Sequence, residues 1–125
     1  MFARISLIEG SSIDPAVIDR VKTAARSRRR VLVALDSNHT HEHVLAELRA
    51  YAPLTSRGSY CVVFDTIIEA LPTAAFPERK WGPGNNPATA VAEYLATHPE
   101  FEIDEGIDNR LLISVAPRGY LKRIR

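Results

Sequence analysis

At 125 residues the chain is long enough to enclose one hydrophobic core without disulfide or metal staples. Its 46% hydrophobic and 25% charged content excludes the disordered and fibrous classes, and a net charge of +1 supplies no overall field for nucleic acid or an anionic membrane. The single cysteine, Cys61, excludes an internal disulfide; set in the apolar run "YCVVF", it reads as a small buried hydrophobe and not as a catalytic thiol.

No apolar run reaches the roughly 18 residues of a membrane span. "MFARISLIEG" is too short and wrongly flanked for a signal peptide, so a cytoplasmic protein is expected. "RISLIEG" (4–10) reads as a short strand ending at Gly10. Asp14 as N-cap and Pro15 at the first helical position then open a helix, with Val17, Ile18, Val21 and Ala25 on one apolar face. The basic "RSRRR" (26–30) suits the carboxyl end of that helix, where the backbone dipole favours cations; a phosphate or anionic-glycan contact is the alternative.

"RVLVALD" (30–36) has the continuous aliphatic character of a strand covered on both faces. "HTHEHVLAELRAYA" follows as a helix carrying Val44, Leu45, Leu48 and Ala52 on one stripe, and "SYCVVFD" (59–65) is a further buried strand. Residues 66–86 hold no sustained period beyond a short helical turn near 67–71, and a loop of that length in a compact domain is usually functional. Asn86 and Pro87 repeat the cap-plus-proline pattern and open a helix with Val91, Ala92 and Leu95 inward. "FEID", a turn at "EGIDN" and "RLLISVAP" read as a closing strand pair.

This order predicts a three-layer α/β domain over 1–125: a mostly parallel sheet, Rossmann-like in part, with an antiparallel C-terminal strand pair. Ligands of such sheets collect at the carboxyl ends of the strands. Those ends carry Glu9-Gly10-Ser11-Ser12, Asp36-Ser37-Asn38-His39 and Asp65-Thr66. Asp36 and Asp65 are separated by one crossover, which returns the chain to the same sheet end with strands about 4.8 Å apart. Two ionised carboxylates so placed require a shared proton or a cation, and a hard divalent ion such as Mg²⁺ suits their oxygens. The alternative is that each Asp caps the segment after it. His39, three residues past Asp36, is the histidine placed to face the cleft as a general base, or else a polar first-turn residue. His41 and His43 read as solvated helix-start residues, and no tetrahedral zinc pattern is present.

The segments "LDSNHTHEHVLAELRAYAPL", "GSYCVVFDT", "WGPGNNPATAVAEYL" and "LLISVAPRGYLKR" together resemble the cephalosporin hydroxylase family. That family groups with rhamnosyl O-methyltransferases among the class I S-adenosylmethionine-dependent methyltransferases. The similarity runs from "ISLIEGSS" to the end of the chain, and D-S-x-H-T with its helix is its most specific part. The resemblance implies a metal-assisted O-methyltransferase acting on a sugar or small hydroxylated metabolite, with Mg²⁺ held by Asp36 and Asp65. His39 would help accept the acceptor's proton. Glu9, Gly10, Ser11 and Ser12 would lie at the adenine end of S-adenosylmethionine, and the "WGPGNNP" loop over the substrate side.

Where the family often has a second acid, Phe64 stands here, so Thr66, Asn38 or water is expected to complete the metal site. The chain also has no Gly-rich loop, and corresponds to the C-terminal part of the family's domain without its N-terminal cofactor-binding strands. Of the family's sheet order 3-2-1-4-5-7-6, it would keep 3-4-5-7-6 by direct closure of strand 3 onto strand 4. The competing arrangement fills that gap with a second copy, and a homodimer is expected on either route. A non-catalytic remnant, serving as an interaction or ligand-binding module, is the alternative function.

Overall fold

The continuous aliphatic runs form the centre of the sheet. The computed structural model describes residues 4–125 and contains strands β1 (Val33–Leu35), β2 (Tyr60–Val63), β3 (Phe101–Ile103) and β4 (Tyr120–Arg123), in the order β1-β2-β4-β3. β1 and β2 pair in parallel, with Ala34 beside Val62. β4 runs antiparallel to both neighbours, Leu121 lying opposite Cys61 on one side and Ile103 on the other. The fold is α/β with an antiparallel C-terminal strand pair; its parallel part among the described residues is β1–β2. The order corresponds to the 4-5-7-6 half of the sheet that the resemblance implies.

The first and third helices begin where their caps place them. Helix α1 (Pro15–Arg26) opens on Asp14, whose carboxylate accepts from the Ala16 N–H at 2.8 Å. Helix α2 (His41–Tyr51) buries Val44, Leu45, Leu48 and Tyr51. Helix α3 (Pro87–Leu95) has a full capping box between Asn86 and Thr89. It buries Ala90, Val91 and Tyr94, while Ala92, expected inward, is exposed. One core joins these faces to the sheet through Leu35, Cys61, Val63, Phe101 and Leu121.

Two expected strands are not formed. Residues 4–9 form no strand, with Ile5 73% and Leu7 89% exposed: these alternate side chains bury little, so no core face holds them in register against β1. Direct closure onto β1 is therefore absent. A trench of about 560 Å³ remains beside β1, lined by Val17, Val21 and Ala25 of α1, by Leu32 and Val33, and by Glu47 and Tyr51 of α2.

The run 110–117 is likewise not a strand. Asp104 accepts from the Gly106 N–H and caps α4 (Glu105–Leu111), with Glu105 and Asp108 in its first turn. These helix-start signals outweigh the turn reading of "EGIDN". Leu112 and Ile113, which a strand would have buried, are 86% and 92% exposed, and pairing begins only at Tyr120.

The approach to that last strand is tight. Gly119 accepts at its carbonyl from the Val63 N–H at 2.8 Å, and a Cβ there would collide with the Val63 carbonyl oxygen. Within 66–86 the expected helical turn appears as a 3₁₀ helix over Thr66–Ala70, joined by another at Thr73–Ala75. No helix among the described residues is long and apolar enough to cross a membrane.

Candidate active site

In-register parallel pairing places Leu35 beside Val63, and the Phe64 N–H donates to the Leu35 carbonyl at 3.0 Å. The chain therefore leaves both strands at one level, with Asp36 and Asp65 immediately beyond. Asp65 adopts a left-handed backbone, φ 57° and ψ 23°, a conformation that costs a non-glycine residue about 1 kcal/mol. It is held there from its carboxyl side: the Ile68 N–H donates to its carbonyl, the Thr66 hydroxyl donates to Pro117 O at 2.7 Å, and the Ile67 N–H donates to Val115 O.

His39 completes the group. Its Nε2 lies 3.4 Å from Asp65 Oδ2, and one ligand-capable atom from each of Asp36, His39 and Asp65 lies within 4.8 Å of the others. Neither expected substitute for the missing acid turns toward them: the Thr66 hydroxyl is spent on Pro117, and Asn38 Oδ1 accepts from the N–H and hydroxyl of Thr40. The third donor of the cluster is thus an imidazole. Two carboxylates and one nitrogen with open positions suit a divalent cation; oxygen ligands alone would favour Mg²⁺, while the imidazole shifts preference toward Mn²⁺ or Zn²⁺. Beside this cluster a cavity of about 360 Å³ is lined by Ser37, Asn38, His39, Thr40, Glu78, Arg79, Lys80 and Trp81.

The residues expected at a cofactor lie on the other side of the Asp36 loop. Ser12 Oγ is 3.1 Å from Ser37 Oγ and 3.0 Å from His43 Nε2, and its carbonyl accepts from the Tyr51 hydroxyl. Ser37 in turn donates to Glu47 Oε1 at 2.7 Å. Gly10, at φ 133°, allows the chain to pass against Val17, where a Cβ would clash. Of the four residues, Ser12 and Gly10 line the trench; Glu9 and Ser11 are exposed.

Several functional groups were not apparent from the sequence. Glu47 is 2% exposed, lines the trench, and its Oε2 has no hydrogen-bond partner. Its signal was an acid on the α2 stripe, three residues after Val44 and four before Tyr51. His43 is not a solvated residue: it is mostly buried and bonded to Ser12. Nor is His41, whose Nδ1 meets Thr89 Oγ1 at 2.8 Å and whose Nε2 meets Glu93 at 3.0 Å, tying α2 to α3. Cys61 behaves as expected. Burial, with Glu47 nearby, pushes its thiol up to about 12, so it holds no thiolate at neutral pH.

Known proteins can now be set beside this geometry. The family model of rhamnosyl O-methyltransferase/CmcI matches residues 1–124. The chain belongs to that family. It is 32% identical over 121 residues to the rhamnosyl O-methyltransferases of Mycobacterium tuberculosis (strain H37Rv) and Mycobacterium bovis (strain AF2122/97), covering 95% of this chain and 47% of each relative. The rhamnosyl O-methyltransferase of Mycobacterium leprae is 28% identical, with 95% of this chain and 50% of the relative covered. The chain therefore spans about half the length of the curated relatives it matches. No solved structure matches it. Among the described residues, the cluster at Asp36, His39 and Asp65 and the trench behind Ser12 are the candidate sites of this family member.

Proposed function

We propose that this chain carries the cation and acceptor side of an S-adenosylmethionine-dependent O-methyltransferase whose acceptor is a sugar hydroxyl, in keeping with the names of its relatives. The observation that carries this reading is the convergence of Asp36, His39 and Asp65 within 4.8 Å at the strand ends. Asp36 and Asp65 would hold a divalent cation, Mg²⁺ or Mn²⁺. Such an ion would withdraw charge from an acceptor hydroxyl and lower its pKa. His39, the third donor of the cluster, would complete that site, and the acidified hydroxyl would release its proton to solvent. Methyl transfer then needs the acceptor oxygen held in line with its donor, which is positioning work.

The donor side rests on the trench. Its walls are apolar, and its polar members are Ser12, Asp36, Ser37, Glu47 and Tyr51. The orphaned Oε2 of Glu47 is a buried acceptor in want of a hydroxyl or amino donor, which an adenosyl group supplies. Gly10 and Ser12 would lie along that group's edge. These residues form one wall of a cofactor site, and we expect weak affinity from this chain by itself. S-adenosylmethionine is a cytosolic metabolite, so the reaction is assigned to the cytoplasm.

The open trench favours one second reading, a methyltransferase fold retained as a ligand-binding or interaction module. Equilibrium titration with S-adenosylmethionine, with and without Mg²⁺, separates the two. Saturable binding that Glu47→Gln weakens severalfold, accompanied by labelled methyl transfer to a rhamnoside, supports the enzyme. No response to millimolar cofactor in a folded chain leaves the module.

A further inference from the structure

We propose that Trp81, backed by Phe76, is the stacking platform for a pyranose ring, so that the loop around residues 76–81 selects the acceptor as a glycoside with an apolar face. The inference rests on the reading of the neighbouring cluster as the place where an acceptor hydroxyl reacts. Trp81 is the single tryptophan of the chain, and it does not belong to the hydrophobic core. It packs against His39 in a T-shaped contact, with ring centroids 5.2 Å apart and planes at 82°, which ties the indole to the reacting cluster. Phe76 lies 5.0 Å away at 57° and is 45% exposed, an aromatic that the core does not use. The Arg79 guanidinium stands 5.7 Å from the Trp81 ring centroid.

The surroundings suit a ligand with one apolar face and a polar rim. The cavity of about 360 Å³ bounded by Trp81 is at the small end of ligand pockets, near the scale of a single sugar ring. Apart from Trp81 its lining is polar; among the described residues neither Glu78 nor Lys80 is ion-paired, so their acceptor and donors are available to sugar hydroxyls, while Arg79 lies over the indole. Aromatic rings present a large rigid apolar surface at low entropic cost, which suits a carbon-bound hydrogen face of a pyranose.

The platform is also pinned in advance. Gly82 and Asn85 exchange backbone hydrogen bonds at 3.0 Å, Asn85 Nδ2 donates to Lys80 O at 2.8 Å, and Glu69 accepts from Gly84 N–H and from the Asn86 amide. Trp81 therefore stands at the root of a fixed turn, and a ligand does not have to order it. Contact with His39 and a place in the cavity wall put the ring of a bound sugar beside the cation cluster without asking the cluster to recognise the sugar.

Because Trp81 is the only tryptophan, its emission reports this site alone. The whole chain should be titrated with methyl α-rhamnopyranoside in metal-free buffer, with saturation-transfer NMR on the sugar as a second readout. The expected result is a saturable change in emission at millimolar sugar. Trp81→Phe should retain binding within about fivefold, and Trp81→Ser should lose at least about tenfold by NMR with the circular dichroism spectrum unchanged.

No saturable response overturns the platform, as does equal binding by Trp81→Ser. A response reproduced by inorganic sulfate also overturns it, since that would make Arg79 and Lys80 an anion site. The two readings fail separately. Sugar binding in a chain that takes up no divalent cation keeps the platform and removes the methyl-transfer reading; cation binding without a sugar response does the reverse.

Discussion

Glu69 shows how one side chain sets the loop beside the site. The Gly84 N–H and the Asn86 amide both donate to its carboxylate and hold it below its ordinary value of 4.5. A carboxyl group whose value is lowered on folding stabilises the fold above its unfolded value, and that stability is lost as pH falls through the folded one. Glu69→Gln should therefore lower the melting temperature at pH 7, and the gap from the parent chain should close in acid, below about pH 4. A gap independent of pH would contradict the charge-based account. Asp36 and Asp65 were legible as a pair because one crossover separates them. Their third partner was not: His39 was read as a base three residues along, and nothing in its spacing announced that the left-handed backbone at Asp65 would bring Oδ2 to 3.4 Å from its Nε2. Glu47 was hidden because an acid on an apolar stripe ordinarily marks the edge of the stripe, not its buried middle.

At the scale of elements, α1 and α3 were readable from their cap-plus-proline starts, α2 from its apolar stripe, and β1 and β2 from their aliphatic runs. The misread segments were 4–9 and 110–117, where Ile5, Leu7, Leu111, Leu112, Ile113 and Val115 are exposed. β-branched and leucine-rich stretches resemble strands whether or not a core face awaits them, and only tertiary context decides. The edge of β1 carries a testable consequence. Val31 exchanges bonds with Ser56 on the β2 side, and Leu35 accepts from Phe64 on that same side. Strand alternation then turns the amides of Leu32 and Ala34 toward the trench. Hydrogen exchange should find these two amides fast and those of Cys61 and Val63, interior to the sheet, slow; equal protection would mean that the edge is covered. Within the core, Leu48 is fully buried, and Leu48→Ala should cost about 2–5 kcal/mol in chemical denaturation. Gly119→Ala should cost about 1–3 kcal/mol by forcing β4 off Val63, although it removes no contact.

For the whole molecule, the candidate surfaces are gathered around one loop, the one that follows β1. The strand ends gather two acids and an imidazole, the Trp81 loop flanks them, and the trench beside β1 lies on the far side of Ser37. The order β1-β2-β4-β3 is what makes this arrangement, because the crossover from β1 to β2 brings the two acids to one end while β4, packed antiparallel, fixes the Asp65 turn through Pro117. The central claim is that Asp36, His39 and Asp65 act together as a divalent-cation site. Calorimetric titration of the whole chain with Mn²⁺ and then Mg²⁺, repeated on Asp65→Asn and His39→Gln, tests it most directly. The account predicts one saturable site that prefers Mn²⁺, lost in Asp65→Asn and weakened about tenfold or more in His39→Gln. Absence of a saturable site in the folded parent chain, or an affinity unchanged in Asp65→Asn, would contradict it.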